Sequence, residues 1–76
     1  MKELVEFIAG AIVDHPDQVQ VEEQTAEDGS ITFELICAEV DKGRIIGKNG
    51  RVIQSIRSVL MASARKENKW VRLTLR

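Results

Sequence analysis

Apolar residues recur along this chain with two different periods, and the switches between them outline the elements. Leu4, Ile8, Ala11 and Ile12 fall at helical spacing, flanked by Val5 and Val13, which predicts a helix from Lys2 to about Asp14. Pro16 biases His15 toward extended backbone and stops that helix. The period then changes to two. QVQVE, from Gln18 to Glu22, alternates as a half-buried strand does. Asp28-Gly29, inside EDGS, suits a turn that needs positive φ, so a hairpin is predicted there. ITFELICA resumes the alternation, placing Ile31, Phe33, Leu35 and Cys37 on one face and Thr32, Glu34, Ile36 and Ala38 on the other.

Helical spacing returns after Asp41, a candidate N-cap for a short helix reaching about Ile46. Gly47 and Gly50 interrupt it. From Arg51 to about Lys66, Ile53, Ile56, Leu60 and Ala64 form one stripe with Val59 beside it, and Asn68 is a reasonable stop. WVRLTLR alternates again, with Val71, Leu73 and Leu75 inward and Trp70 on the opposite face. The order is α-β-β-α-α-β. Helices packed on one face of a three-stranded sheet give a two-layer α+β domain. Residues 1–76 form one domain, with no repeat, linker or low-complexity segment.

Composition narrows the class. With 76 residues, a folded chain buries only about 60% of the surface its unfolded form exposes, so its stability margin is thin. The residues are 43% hydrophobic and 30% charged, as in a globular domain. No apolar run approaches the ~20 residues that span a bilayer, and MKELVEFIAG lacks the architecture of a signal peptide. A lone Cys37 makes neither an internal disulfide nor a metal cluster. No membrane association is expected, and the expected compartment is the cytoplasm.

Charge changes the picture more. Met1 to Asp41 holds one base against eleven acids, whereas Lys42 to Arg76 holds ten bases against one acid, Glu67. Such asymmetry points to a polyanion partner. Its plainer meaning is that the halves attract each other in the fold. The bases gather around RIIGKNGRVI, and no acid falls between Lys42 and Lys66. GRIIGKN is one residue short of a Walker A loop and carries Asn where the metal-binding hydroxyl belongs; a dinucleotide fingerprint needs a third glycine and a preceding strand. A tight helix-to-helix turn remains the simplest reading of two glycines alone. Here, however, Gly50 sits at the start of a helix whose N–H groups and dipole favour anions. Lys48 lies at the tip, flanked by Arg44 and Arg51. Missing β-carbons let a phosphate backbone approach the main chain. Ile45, Ile46, Val52 and Ile53 cannot all point inward from two angled helices, so some are expected to line a groove for bases.

IIGKNGRVI resembles the I-G-x-x-G-x-x-I signature of the KH domain. The whole element order resembles the type II KH arrangement, and in size the chain is similar to the stand-alone bacterial KH proteins called KhpA. The resemblance implies single-stranded RNA in a narrow groove, with the loop gripping about four nucleotides. It implies a clamp of Gly47, Lys48, Asn49 and Gly50, with Ile46 and Val52 lining the groove and Ile36 a further candidate. Arg44, Arg51 and Arg57 are expected to meet phosphates. The resemblance also implies a homodimer, or a second KH-domain protein (KhpB or Jag) as partner, and a role as post-transcriptional regulator or RNA chaperone.

Other residues carry less. His15 reads as a surface turn residue, since no nucleophile or carboxylate pattern accompanies it. Cys37 reads as buried packing. Trp70 reads as edge packing or a subunit contact ahead of a stacking platform, because KH domains seldom depend on aromatics. Arg65 and Lys66 fit a solvated helix face. No catalytic residue, metal ligand or cofactor site is expected. The competing reading is a dimerisation or scaffold protein with a KH fold, using Ile53, Val59 or Met61 as contacts, and single-stranded DNA is an alternative ligand.

Overall fold

A computed structural model describes all residues 1–76. The elements are α1 (Lys2–Ile12), β1 (Gln20–Thr25), β2 (Ile31–Ile36), α2 (Lys42–Ile46), α3 (Arg51–Lys66) and β3 (Val71–Leu75). Single 3-10 turns cover Pro16–Gln18, Glu39–Asp41 and Lys48–Gly50. The fold is α+β, as the sequence implies: three helices on a mixed sheet of order β1-β2-β3. β1 and β2 are antiparallel, and β2 and β3 are parallel. The parallel pair needs a long connection, which α2, the glycine loop and α3 supply.

Ile31, Phe33 and Leu35 of the central strand are buried beneath Ile53, Ile56 and Leu60 of α3 and Val5 and Ala9 of α1. The α3 stripe is the one its spacing predicts, with Ile53, Ile56, Leu60 and Ala64 buried. Its end is a Schellman motif: Asn68 has φ 56°, Asn68 N–H donates to the Arg65 carbonyl at 3.2 Å, and Lys69 N–H donates to the Ala64 carbonyl at 3.0 Å. The hairpin turn also forms, with Gly29 at φ 90° and Asp28 Oδ1 accepting from the Ser30 N–H and hydroxyl.

The buried face of α1 and three strand boundaries differ from expectation. In α1 the apolar arc is wide, and its centre is Val5 and Ala9 rather than Ile8 and Ala11; Ala11 is exposed. β1 starts at Gln20, two residues late, because Pro16 opens a 3-10 turn first. It also runs on to Thr25, along β2 as far as Ile31. β2 ends at Ile36. Cys37 therefore lies past the strand, half-buried against the core. Burial and the nearby Asp41 charge push its thiol above the usual range, which keeps it protonated and unreactive near neutrality.

Candidate nucleic-acid interface

The glycine loop begins where α2 stops. Gly47 N–H bonds the Gly43 carbonyl at 2.9 Å, and Gly50 N–H bonds the Gly47 carbonyl at 3.1 Å. Gly47, Asn49 and Gly50 have φ of 74°, 56° and 74°, the left-handed region that glycine and asparagine tolerate. The two glycines serve different ends. A β-carbon on Gly47 would fall 2.3 Å from Val52 Cγ2 and 2.9 Å from the Val52 nitrogen. Gly47 is thus required by packing, and Val52 fills the space beside it that was open to a phosphate on sequence grounds. A β-carbon on Gly50 would meet nothing within 4 Å. The open main chain is there. No side chain caps α3, so its positive end faces the loop without an internal anion.

Lys48, Asn49 and Arg51 are exposed at this rim, and neither cation has an acid partner. Arg44 differs: its Nε lies 3.3 Å from Asp14 Oδ2, so its charge is already engaged. Ile46 stays 41% exposed beside the loop. Val52 is half-buried on the core. Ile36 lies at the end of β2 and is half-buried.

Asp41 sets the loop's position, and not as an N-cap. Its side chain makes no capping bond to α2. It is 1% exposed and accepts from the Asp14 N–H at 3.2 Å, the His15 N–H at 3.0 Å and His15 Nδ1 at 3.2 Å. Burial alone would raise its carboxyl, but the bonds from Asp14 and His15 outweigh that and hold it below the usual carboxylate value. This clasp, with Arg44–Asp14, ties the end of α1 to the start of α2. His15 is a surface turn residue by exposure and a latch by contact. The sequence signal was weak, because the partners lie 26 and 27 residues apart.

From the loop, α3 runs back along β3, a strand paired on one side only. The seam between them holds a cavity of about 300 Å³ lined by Arg57, Met61, Leu73 and Thr74, among others. Trp70 and Arg76 bond across to β2. Main-chain groups alternate sides along a strand, so Val71, Leu73 and Leu75 direct theirs to the open edge. Arg57 Nε donates to the Leu73 carbonyl at 3.2 Å, which fixes this cation over the seam. Arg57 was expected; the free edge of β3 was not.

A sequence model of the KhpA/KhpB KH domain matches residues 2–75. The chain belongs to this KH-domain family. It is 54% identical over 71 residues to the RNA-binding protein KhpA of Clostridium acetobutylicum, covering 93% of each chain. It is 49% identical over 76 residues to KhpA of Halalkalibacterium halodurans, covering 99% of this chain and 97% of that one. Among solved structures, Aquifex aeolicus Era bound to GDP.AlF4- has a similar fold, with TM-score 0.63 and 21% identity over 96% of this chain and 29% of Era. In this KH domain no three His, Cys, Asp or Glu side chains converge as a metal would need. No helix is long and apolar enough to cross a membrane.

Proposed function

We propose that this KH domain is a non-catalytic binder of single-stranded RNA. One observation carries the reading: Gly50 presents open main chain at an uncapped helix start, beside Lys48 and Arg51, which have no acid partner. That is a site for a phosphodiester. The relatives' name, RNA-binding protein KhpA, supports the same ligand. Gly47 shapes the loop, and Lys48, Asn49 and Gly50 grip the backbone. Arg51 and Arg57 hold the following phosphates, while Arg44 braces α2. Ile46 and the exposed flank of Val52 meet bases, and the free groups of β3 offer partners to base edges. A groove that needs splayed bases admits duplex RNA poorly. No cofactor is needed. The role that fits is a cytoplasmic post-transcriptional regulator or RNA chaperone. Replacing Lys48 and Asn49 together by aspartate places two negative charges at the phosphate position on an exposed tip. RNA affinity should fall at least about tenfold with unchanged circular dichroism. Wild-type affinity in that variant would sink the clamp.

A second reading, a dimerisation or scaffold protein, draws on Val59 and Met61, which are 47% and 37% exposed on α3. Ile53 leaves the candidate contacts, because it is core. A homodimer, or pairing with a KhpB-like KH protein, would give the short clamp avidity. Sedimentation equilibrium that finds only monomer well above micromolar concentration removes the homodimer.

A further inference from the structure

The α3–β3 seam does not end at the cavity beside Arg57. A second depression of about 240 Å³ continues it at the far end of α3, where Met61, Ala64 and Val71 meet Arg65, Lys69 and Trp70. The two depressions share Met61 and Val71, so they form one trough. Trp70 closes it. The residue is 76% exposed, although an aromatic of this size ordinarily buries most of its area. The chain spends its only tryptophan on a position where the core gains little from it.

Charge says what the trough would hold. Arg57, Arg65, Lys69 and Arg72 stand around it. Arg57, Arg65 and Arg72 have no acid partner. The one acid nearby, Glu67, faces Lys69 at 3.8 Å. Of the sheet's acids, Glu22 and Glu34 are bound by Arg76 and line a different depression, and Glu23 lies on β1, the strand farthest from β3. An aromatic face set among unpaired cations is the arrangement by which proteins hold a single strand, with bases stacked on the ring and phosphates on the cations. It also adjoins the proposed RNA path along the same helix, without a break.

Position agrees. The 16 residues of α3 rise about 24 Å from the loop to the tryptophan end. Trp70 therefore lies at the opposite end of the helix from the glycine loop, where a strand leaving the clamp along the seam would arrive.

We infer that Trp70, with Arg65, Lys69 and Arg72, forms a base-stacking subsite for the continuation of the bound RNA strand, extending the footprint beyond the roughly four nucleotides of the clamp. This rests on the RNA-binding reading above. The sole tryptophan, in a chain without tyrosine, also reports on itself. Random-sequence RNA pools of four and eight nucleotides are titrated against the full chain, following indole fluorescence and, separately, the anisotropy of labelled RNA. The eight-nucleotide pool should quench Trp70, and the four-nucleotide pool should bind more weakly and leave it unquenched. Trp70→Ala should cost about fivefold or more for the longer pool and nothing for the shorter. Trp70→Phe should recover most of the loss. At this exposure none of these changes should move the melting temperature. If neither pool binds, the RNA-binding reading and this subsite both fall. If both pools bind, and the Lys48/Asn49 aspartate variant abolishes binding while Trp70→Ala matches wild type, the clamp stands and the subsite is overturned. If Trp70→Ala weakens both pools equally and shifts sedimentation toward monomer, the indole is a contact between copies and the subsite is likewise overturned.

Discussion

The acidic and basic halves of this chain use their charges to different extents once folded. Six of the eleven acids of the first half, Glu3, Asp14, Glu22, Glu34, Glu39 and Asp41, take part in ion pairs within the molecule. Asp41 is buried under the His15 turn, Asp14 holds Arg44, and Glu39 holds Lys42. Glu22 and Glu34, directly opposite in the β1–β2 register, share Arg76. Cations of the second half mostly have no such partner. Only Lys42, Arg44 and Arg76 reach across to the acidic half; Lys48, Arg51, Arg57, Arg65, Lys66, Lys69 and Arg72 do not. Attraction between halves, the plainer meaning of the asymmetry, therefore accounts for a minority of the positive charge. The α1–α2 junction is a brace and the α3–β3 seam is a surface left open, with the glycine loop on the line between them.

The sharpest way to break this comparison is at that line. Gly47 belongs to the braced side and Gly50 to the open side. Gly47→Ala forces a β-carbon onto Val52 at a positive φ, and should destabilise the domain by about 3 kcal/mol or more. Gly50→Ala meets no atom and carries only left-handed strain, about 1 kcal/mol. It should nevertheless weaken RNA binding, because its methyl enters the approach to the main chain. Chemical denaturation and RNA titration of both variants check this. Equal stability losses would mean that the glycines are interchangeable and the division is wrong.

Next in size is the brace. Asp41→Ala leaves the Asp14 and His15 N–H groups without their acceptor and should lower Tm by about 5–10 °C. The pH dependence follows from the direction of the shift. The folded-state carboxyl titrates below its ordinary value of 3.8, so the unfolded state takes up the proton first. The stabilisation is fully present above that ordinary value and is lost as pH falls through the lower folded one. Thermal melts from pH 7 downward should show wild type losing its advantage over Asp41→Asn only in that acid window. An advantage that disappears nearer neutrality would place the dependence on another group.

How much of this was legible depended on range. The α3 helix was readable to the residue, because 16 positions repeat one stripe and Asn68 ends it locally. The turn at GKNG was readable for the same reason, since its backbone conformation is set within four consecutive residues. Asp41 was misread as a local cap because its partners arrive from 26 and 27 residues away. The different duties of Gly47 and Gly50 depended on where Val52 settles, and spacing does not encode that. The trough needed topology: only the parallel pairing of β2 and β3 makes β3 an open edge along α3.

The smallest expected effect separates paired from unpaired cations. Each phosphate contact to a single strand steepens the plot of log K against log salt by about 0.7. Lys48, Arg51 and Arg57 together predict a slope near −2, and the trough cations steepen it further for longer strands. Arg51→Ala removes one contact and should flatten the slope by about 0.7. Arg44→Ala removes a charge that Asp14 already engages at 3.3 Å, so the slope should barely move. Release of Asp14 even adds a free negative charge near α2, which would lower affinity without changing the number of counterions displaced. Titrations at four salt concentrations resolve the two behaviours. If Arg44→Ala flattens the slope as much as Arg51→Ala, the Arg44–Asp14 pair opens when RNA binds, and the boundary between brace and open surface lies one helix closer to the N-terminus.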